Sequence, residues 1–316
     1  MRYLIICLCF FVIVGCKEKV APYTIERFDQ QLMGVKSETE LQNLLSQNED
    51  ITEVFLGSTS EDTALVNGLF HMVQHADARR FYEETLKTFG NLSALEEGFG
   101  IAFSEIKKLY PEFKSPRVVA AFTGLQNDLV VTDSLVVISL EAFIGPQASY
   151  KLDEPQYILR RYAPEYIVPT VVRMLSNQFN AIDFSRETFT TDMIFFGKSL
   201  EFSRAVLPHV EDSLIIGYTN REMQMAYENQ EVIWAHVLDR ELLNQENPAI
   251  RAKYFGERPY VGEIGPDCPG RIGQWLGLRV VELYRKENPK VTLQELMANA
   301  DTEAILRGSK YRGQKD

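Results

Sequence analysis

Two short stretches decide the fold: Arg117-Val-Val-Ala-Ala-Phe-Thr123 and Leu135-Val-Val-Ile-Ser-Leu140. Each is brief, rich in β-branched residues and bounded by turn formers, the pattern of a strand. Gly124 to Ser134 lies between them, with Asn127-Asp128 as a turn signal, so the two strands are expected to pair. Outward from this pair the chain reads as helix. Ser37-x-x-Glu40, Thr219-x-x-Glu222 and Thr292-x-x-Glu295 are capping boxes ahead of apolar residues. The second opens a segment running through Trp234 to about Leu243, and the third a short helix near Leu296. Asp62 to His75 reads as a helix. Ala94 to Leu109 carries Phe99, Ala102, Phe103, Ile106 and Leu109 at helical spacing and stops at Pro111. One small sheet among many helices predicts an α+β fold, a mainly helical single domain over residues 27–316 with no linker, low-complexity tract or repeat to divide it.

The composition fits a globular protein: 316 residues, 45% hydrophobic and 24% charged. With 33 Lys+Arg against 44 Asp+Glu the net charge is −11, which argues against a nucleic-acid partner, since phosphate backbones need clustered cations.

The N-terminus carries the clearest chemical signal. Met1-Arg2 precedes an apolar run from Tyr3 to Val14. Twelve residues rise roughly 18 Å as helix, short of the about 30 Å of a bilayer core, so the run fits the apolar region of an export signal. It ends in Ile13-Val14-Gly15-Cys16, the pattern of a bacterial lipobox. Residues 1–15 are therefore expected to be a lipoprotein signal peptide. Cys16 is expected to be the lipid-attachment site, carrying diacylglycerol and acyl (palmitate) chains, with residues 16–26 as the lipidated tether. Each buried CH₂ is worth about 0.8 kcal/mol, so several chains hold a protein firmly to a membrane. Cys7 and Cys9 leave with the signal, and only Cys268 would remain free, so the mature chain has no intramolecular disulfide.

Other motifs are weaker. Gly197-Lys198-Ser199 resembles the end of a phosphate-binding loop, but Asp192 stands where that loop needs its first glycine. His71 and His75 are four apart, the spacing of two zinc ligands on one helix face, but Met72 stands where a zinc peptidase carries its Glu. They are weak metal candidates, and no metal or other cofactor is expected. His209 and His236 stand alone, and no His is near Cys268 in sequence. Pro269 suits a first helical position, which would place Gly270, Gly273 and Gly277 on one helix face for close packing or ligand approach. Tyr150, Tyr157, Tyr162 and Tyr166 lie among Arg160 and Arg161, a mixture common both at interfaces and in sharp loops.

Taken in order, several segments resemble the GldB-type gliding-motility lipoproteins of the Bacteroidota. They are the lipobox with Cys16, Ile25-Glu-Arg-Phe-Asp29, Phe103-x5-Leu109-Tyr-Pro111, Leu135 to Gly145, Arg161-Tyr-Ala-Pro-Glu-Tyr-Ile-Val-Pro169, Met193-Ile-Phe-Phe-Gly-Lys198, Asn229-Gln-Glu-Val-Ile-Trp234, Pro269-Gly-Arg-Ile-Gly273 and Ser309-Lys-Tyr311. The resemblance covers nearly the whole mature chain. It implies a fold related to zincin metallopeptidases, with a sheet edge before Gly145 and an active-site helix from about Glu165 to Phe179. That helix reads Ile167-Val-Pro-Thr-Val-Val-Arg-Met-Leu-Ser-Asn-Gln178, without the His-Glu-x-x-His of a zincin, and Phe196 rather than an acid precedes Gly197. Without ligands no zinc can activate water, so the resemblance implies a fold that has lost its chemistry or one reused for binding.

The reading that follows is a non-catalytic lipoprotein of the cell envelope, anchored to the inner or outer membrane through Cys16. Its folded domain would lie outside the cytoplasm, and its partners would be other gliding-motility and secretion proteins. The degenerate cleft is a candidate pocket, with Arg173, Lys198, Glu231, Trp234 and Arg271 on the helices that would face it. The alternatives are a zinc metallopeptidase with a non-standard site using His71 and His75, and a cell-wall or glycan-binding lipoprotein.

Overall fold

In the computed structural model the two strand segments pair as expected, and in parallel. Arg117–Ala121 (β2) runs alongside Leu135–Ser139 (β4), with Arg117 opposite Leu135 and Ala121 opposite Ser139. The segment between them is more than a turn. It contains a third strand, Leu129–Val131 (β3), which folds back antiparallel on β4. Glu26–Arg27 (β1) adds parallel to the other side of β2, giving the order β1-β2-β4-β3. The structure describes residues 23–183 and 185–315. The expected signal peptide, Cys16 and most of the tether lie outside the described residues.

The strands read as unbroken apolar runs because both faces of the sheet are covered. Val118, Ala120, Val136 and Ile138 face one core, whereas Val119, Ala121, Leu135 and Val137 face another. The second, smaller core is closed by the N-terminal helices Phe28–Gly34 (α1), Glu38–Gln47 (α2), Glu49–Val54 (α3), Thr63–Gln74 (α4) and Ala76–Phe89 (α5), through residues such as Phe28, Leu41, Ile51, Leu69 and Phe81. The short helix Gln156–Leu159 (α7) belongs to neither core, and the larger core takes the others: Ser93–Leu109 (α6), Pro164–Leu175 (α8), Phe189–Val206 (α9), Asp212–Ile216 (α10), Asn220–Glu228 (α11), Gln230–Asp239 (α12), Pro248–Phe255 (α13), Ile272–Glu287 (α14), Leu293–Ala298 (α15) and Thr302–Ser309 (α16). The molecule is thus a mainly helical α+β single domain with a small four-stranded sheet.

Local signals held where they were strongest. Thr219 and Thr292 form full capping boxes with Glu222 and Glu295. At Ser37 the box is shifted: its hydroxyl accepts from Glu40 N, but the Glu40 carboxylate takes the N–H of Lys36. The helix expected to run from Thr219 to Leu243 breaks near Asn229 into α11 and α12 and ends in a 3-10 turn, Leu242–Asn244. The helix expected from Asp62 ends at Gln74. His75 leaves it with extended backbone and caps α5 instead, accepting from Asp77 N at 3.3 Å.

The glycine-rich segment also differs from its reading. Pro269 is not the first helical residue. It bridges to Tyr260, and α14 begins only at Ile272, after Arg271 takes a left-handed conformation. Gly270 therefore lies outside the helix. Gly277 is where α9 and α14 cross: a Cβ there would lie 1.9 Å from Met193 O, and one at Gly197 would lie 2.3 Å from Gly277 O. Backbones this close admit only glycine.

Candidate functional site

The helix read as the active-site helix is α8, followed by a 3-10 turn, Ser176–Gln178. Pro164 starts it. Its apolar face, with Ile167, Val171, Val172 and Leu175, is sunk into the larger core. A second face carries Tyr166, Thr170 and Arg173 at spacings of four and three residues, and these line a cleft of about 330 Å³. Phe143, Leu129, Ile158 and Ile215 give the cleft apolar walls, while Arg161, Arg271 and Glu257 complete its polar lining.

Each wall is fixed by its own device. The short helix α10 ends at Gly217, which has φ +73° and whose Cβ would lie 2.7 Å from the Arg161 side chain. The carbonyls freed at this helix end are taken by Arg271, whose Nη1 and Nη2 donate to Ile216 O at 2.8 Å and Gly217 O at 2.9 Å. Arg271 is 4% exposed and lies over the Tyr218 ring. Arg161 makes a bidentate pair with Glu257 at 2.9 and 2.7 Å. Arg160, just behind, pairs with Glu222 at 2.7 Å. On the opposite wall Tyr162 donates to Asp128 at 2.5 Å. The loop bearing Asp128 is anchored by the buried Glu141, which accepts from Thr123 N at 2.6 Å and Leu125 N at 3.2 Å. Burial pushes the Glu141 carboxyl up to about 7 against the pull of these donors.

The electrostatics are lopsided. Arg161 and Arg271 both contact Glu257, and Arg173 shares the same cleft. Burial alone would raise the Glu257 carboxyl, but the Arg161 hydrogen bond and the charges of Arg271, Arg161 and Arg173 hold it below the usual range. Arg173 is pushed down to about 10 by enclosure and then by Arg271 and Arg161, and so remains charged at neutral pH. Burial likewise raises the Tyr166 phenol.

The sequence candidates divide. Arg173 and Arg271 meet in this cleft. Lys198 is fully buried elsewhere, its Nζ donating to Ala181 O at 2.7 Å and Asn299 O at 2.9 Å. Trp234 packs edge-on against Tyr311, and Glu231 is exposed on α12 beside it. Lys198, Glu231 and Trp234 therefore do not join Arg173 and Arg271. His71 and His75 border a separate groove with Phe81, Phe122 and Tyr150. Among the described residues no group of three His, Cys, Asp or Glu side chains is placed to hold a metal. Cys268 is buried, and burial pushes its thiol up to about 12. Sequence reasoning missed Thr170 and Glu257. Tyr162, Tyr166 and Arg161 were visible as an aromatic–arginine mixture, and the helical spacing of Tyr166, Thr170 and Arg173 was the signal that could have placed them together.

Fold and cleft define a helical α+β domain with an arginine-lined pocket. The family model described as gliding motility protein GldB matches residues 16–313, so the chain belongs to the GldB gliding-motility family. No curated protein and no solved structure matches the chain.

Proposed function

We propose that the protein is a lipid-anchored, non-catalytic envelope component of the gliding machinery, held to a membrane through Cys16 and acting through contacts made by its folded domain. Family membership carries the motility role. The anchor is supported by the lipobox and by the family match, which takes in Cys16. No helix of the described residues is long and apolar enough to cross a membrane.

The single observation favouring a binding role over a peptidase role is what α8 presents to the cleft. A zinc peptidase needs imidazoles and a carboxylate there. This helix offers a phenol, a hydroxyl and a guanidinium, which are hydrogen-bond donors suited to holding a ligand. The test is genetic and biochemical. Deleting the gene abolishes colony spreading, wild type restores it, and Cys16→Ala does not restore it and leaves the membrane fraction. A Cys16→Ala chain that stays processed and membrane-bound overturns the anchor. Stoichiometric zinc retained by the purified full-length protein overturns the non-catalytic reading.

A further inference from the structure

Arginines in folded proteins are usually paired, and those around this cleft show the rule. Arg271 holds two helix-end carbonyls, Arg161 holds Glu257 and Arg160 holds Glu222. Arg173 departs from it. Among the described residues its guanidinium has no hydrogen-bond or ion-pair partner, although it shares the cleft with two further cations. Thr170 and Tyr166, one and two turns before it on the same face of α8, also make no side-chain hydrogen bond to a described residue. No nearby acid pairs with it, although Glu257 attracts it through space. Glu257 is already bound bidentately by Arg161, and Asp128 accepts from Tyr162 and Leu129 N. Glu154 is exposed.

We propose that this cleft is an anion-binding site in which Arg173, with the Thr170 and Tyr166 hydroxyls, receives a carboxylate or phosphate group. A planar guanidinium grips either oxyanion through two parallel N–H···O bonds, and such charge-assisted bonds are roughly twice as strong as neutral ones. A volume of about 330 Å³ is at the lower end of small-ligand sites, which suits a single small acid or the acidic end of a longer molecule. The fixed pairs Arg161–Glu257 and Arg271–Gly217 hold the walls in place before any ligand arrives, so that binding needs little rearrangement. The inference does not depend on the motility reading, and its test has no motility readout.

The full-length protein in detergent micelles is titrated calorimetrically with inorganic phosphate and, separately, with N-acetylalanine. Saturable binding by at least one probe is expected. Arg173→Gln should weaken it at least about tenfold, since one charge-assisted contact is worth that much. Arg173→Lys keeps the charge but loses the fork, and should fall between the two. Binding of phosphate alone, of the carboxylate alone or of both identifies the class within the proposal. No saturable binding by either probe, or binding undiminished in Arg173→Gln, overturns it. A wild-type measurement guards against a variant that fails to fold: phenylglyoxal should label Arg173 ahead of the paired Arg161 and Arg271, and the bound anion should slow that labelling. Equal labelling of the three, or no protection by either anion, overturns the proposal as well.

Discussion

At the crossing of α9 and α14, every unusual residue has its partner inside the chain. Gly197 and Gly277 bring two backbones together, Lys198 sits on two carbonyls, and Ser199 bonds to the Ser176 hydroxyl at 2.6 Å and to Arg173 O at 3.1 Å. On the far side of α8, the cleft uses similar residue types and leaves some of them open. Gly217 and Arg271 are committed to the helix end, whereas the side chains of Arg173, Thr170 and Tyr166 make no hydrogen bond to any described residue. Glycine and lysine in a suggestive string are thus poor evidence of a site. What separates packing from binding is whether the chain satisfies its own donors. The Gly-Lys-Ser string is consumed by packing, and the unremarkable Thr-x-x-Arg of α8 faces the cleft.

If the crossing is as closed as this, the largest loss of stability should come from its smallest side-chain change. Gly277→Ala places a methyl 1.9 Å from Met193 O, and backbone cannot swing aside as a side chain can. We expect a loss of about 3 kcal/mol or more, the upper end for overpacking, read from urea unfolding midpoints at constant slope. A loss below about 1 kcal/mol would show that the helices can separate, and the contrast with the cleft would weaken. Next is Arg271→Ala, which removes two charge-assisted bonds from the end of α10 and should cost about 2 kcal/mol. Arg271→Lys should recover little of this, because an ammonium cannot span both carbonyls in the same plane.

The fold was legible wherever a local pattern had one physical meaning. Two short β-branched runs meant a pair of strands, and Thr219 and Thr292 marked helix starts. Less legible was anything decided by a distant neighbour. β3 is only Leu129–Val131 and half-buried, too short to show a period, and it exists because the β4 edge lies beside it. Arg271 adopts φ +58°, which Pro269 and Gly270 in sequence do not announce, so the helix start was placed too early. Of the candidate site, Arg173 and Arg271 could be chosen because their helices were visible. Lys198 could not be told from them, since its partners Ala181 and Asn299 are far away in sequence and use only their backbone.

Lys198 gives the next test, of about 2 kcal/mol. Lys198→Met removes a buried charge but leaves the Ala181 and Asn299 carbonyls without their donor, and the second effect should prevail at pH 7. The pH dependence identifies the cause. Burial lowers the native amine to about 8 from 10.5, so between those values the unfolded chain holds more protons than the native one. Stability of the wild type relative to Lys198→Met should therefore rise as pH increases from about 8 to 10.5, and stay flat below about 8. A flat difference across the whole range would mean that Lys198 is better solvated than its packing indicates.

The smallest expected change is the most informative about the cleft. Arg173→Gln removes a charge that makes no hydrogen bond or ion pair with a described residue and that lies near Arg271 and Arg161, both of which push its proton affinity down against the smaller pull of Glu257. Losing a structural arginine with partners, as at Arg271, costs stability, because carbonyls or carboxylates are left behind. Losing Arg173 strands no hydrogen-bond partner, and the repulsion it relieves at Arg271 and Arg161 outweighs the lost pull on Glu257. The midpoint of unfolding at low salt should thus be unchanged within about 0.5 kcal/mol or slightly raised, and any gain should shrink as salt screens the cluster. Added phosphate or N-acetylalanine should then stabilise the wild type more than the variant, because a ligand that binds only the native state raises its stability by mass action. A loss of more than about 1 kcal/mol without any anion would place Arg173 with Arg271 among the side chains that build the cleft, and the distinction between the satisfied crossing and the open cleft would fall with it.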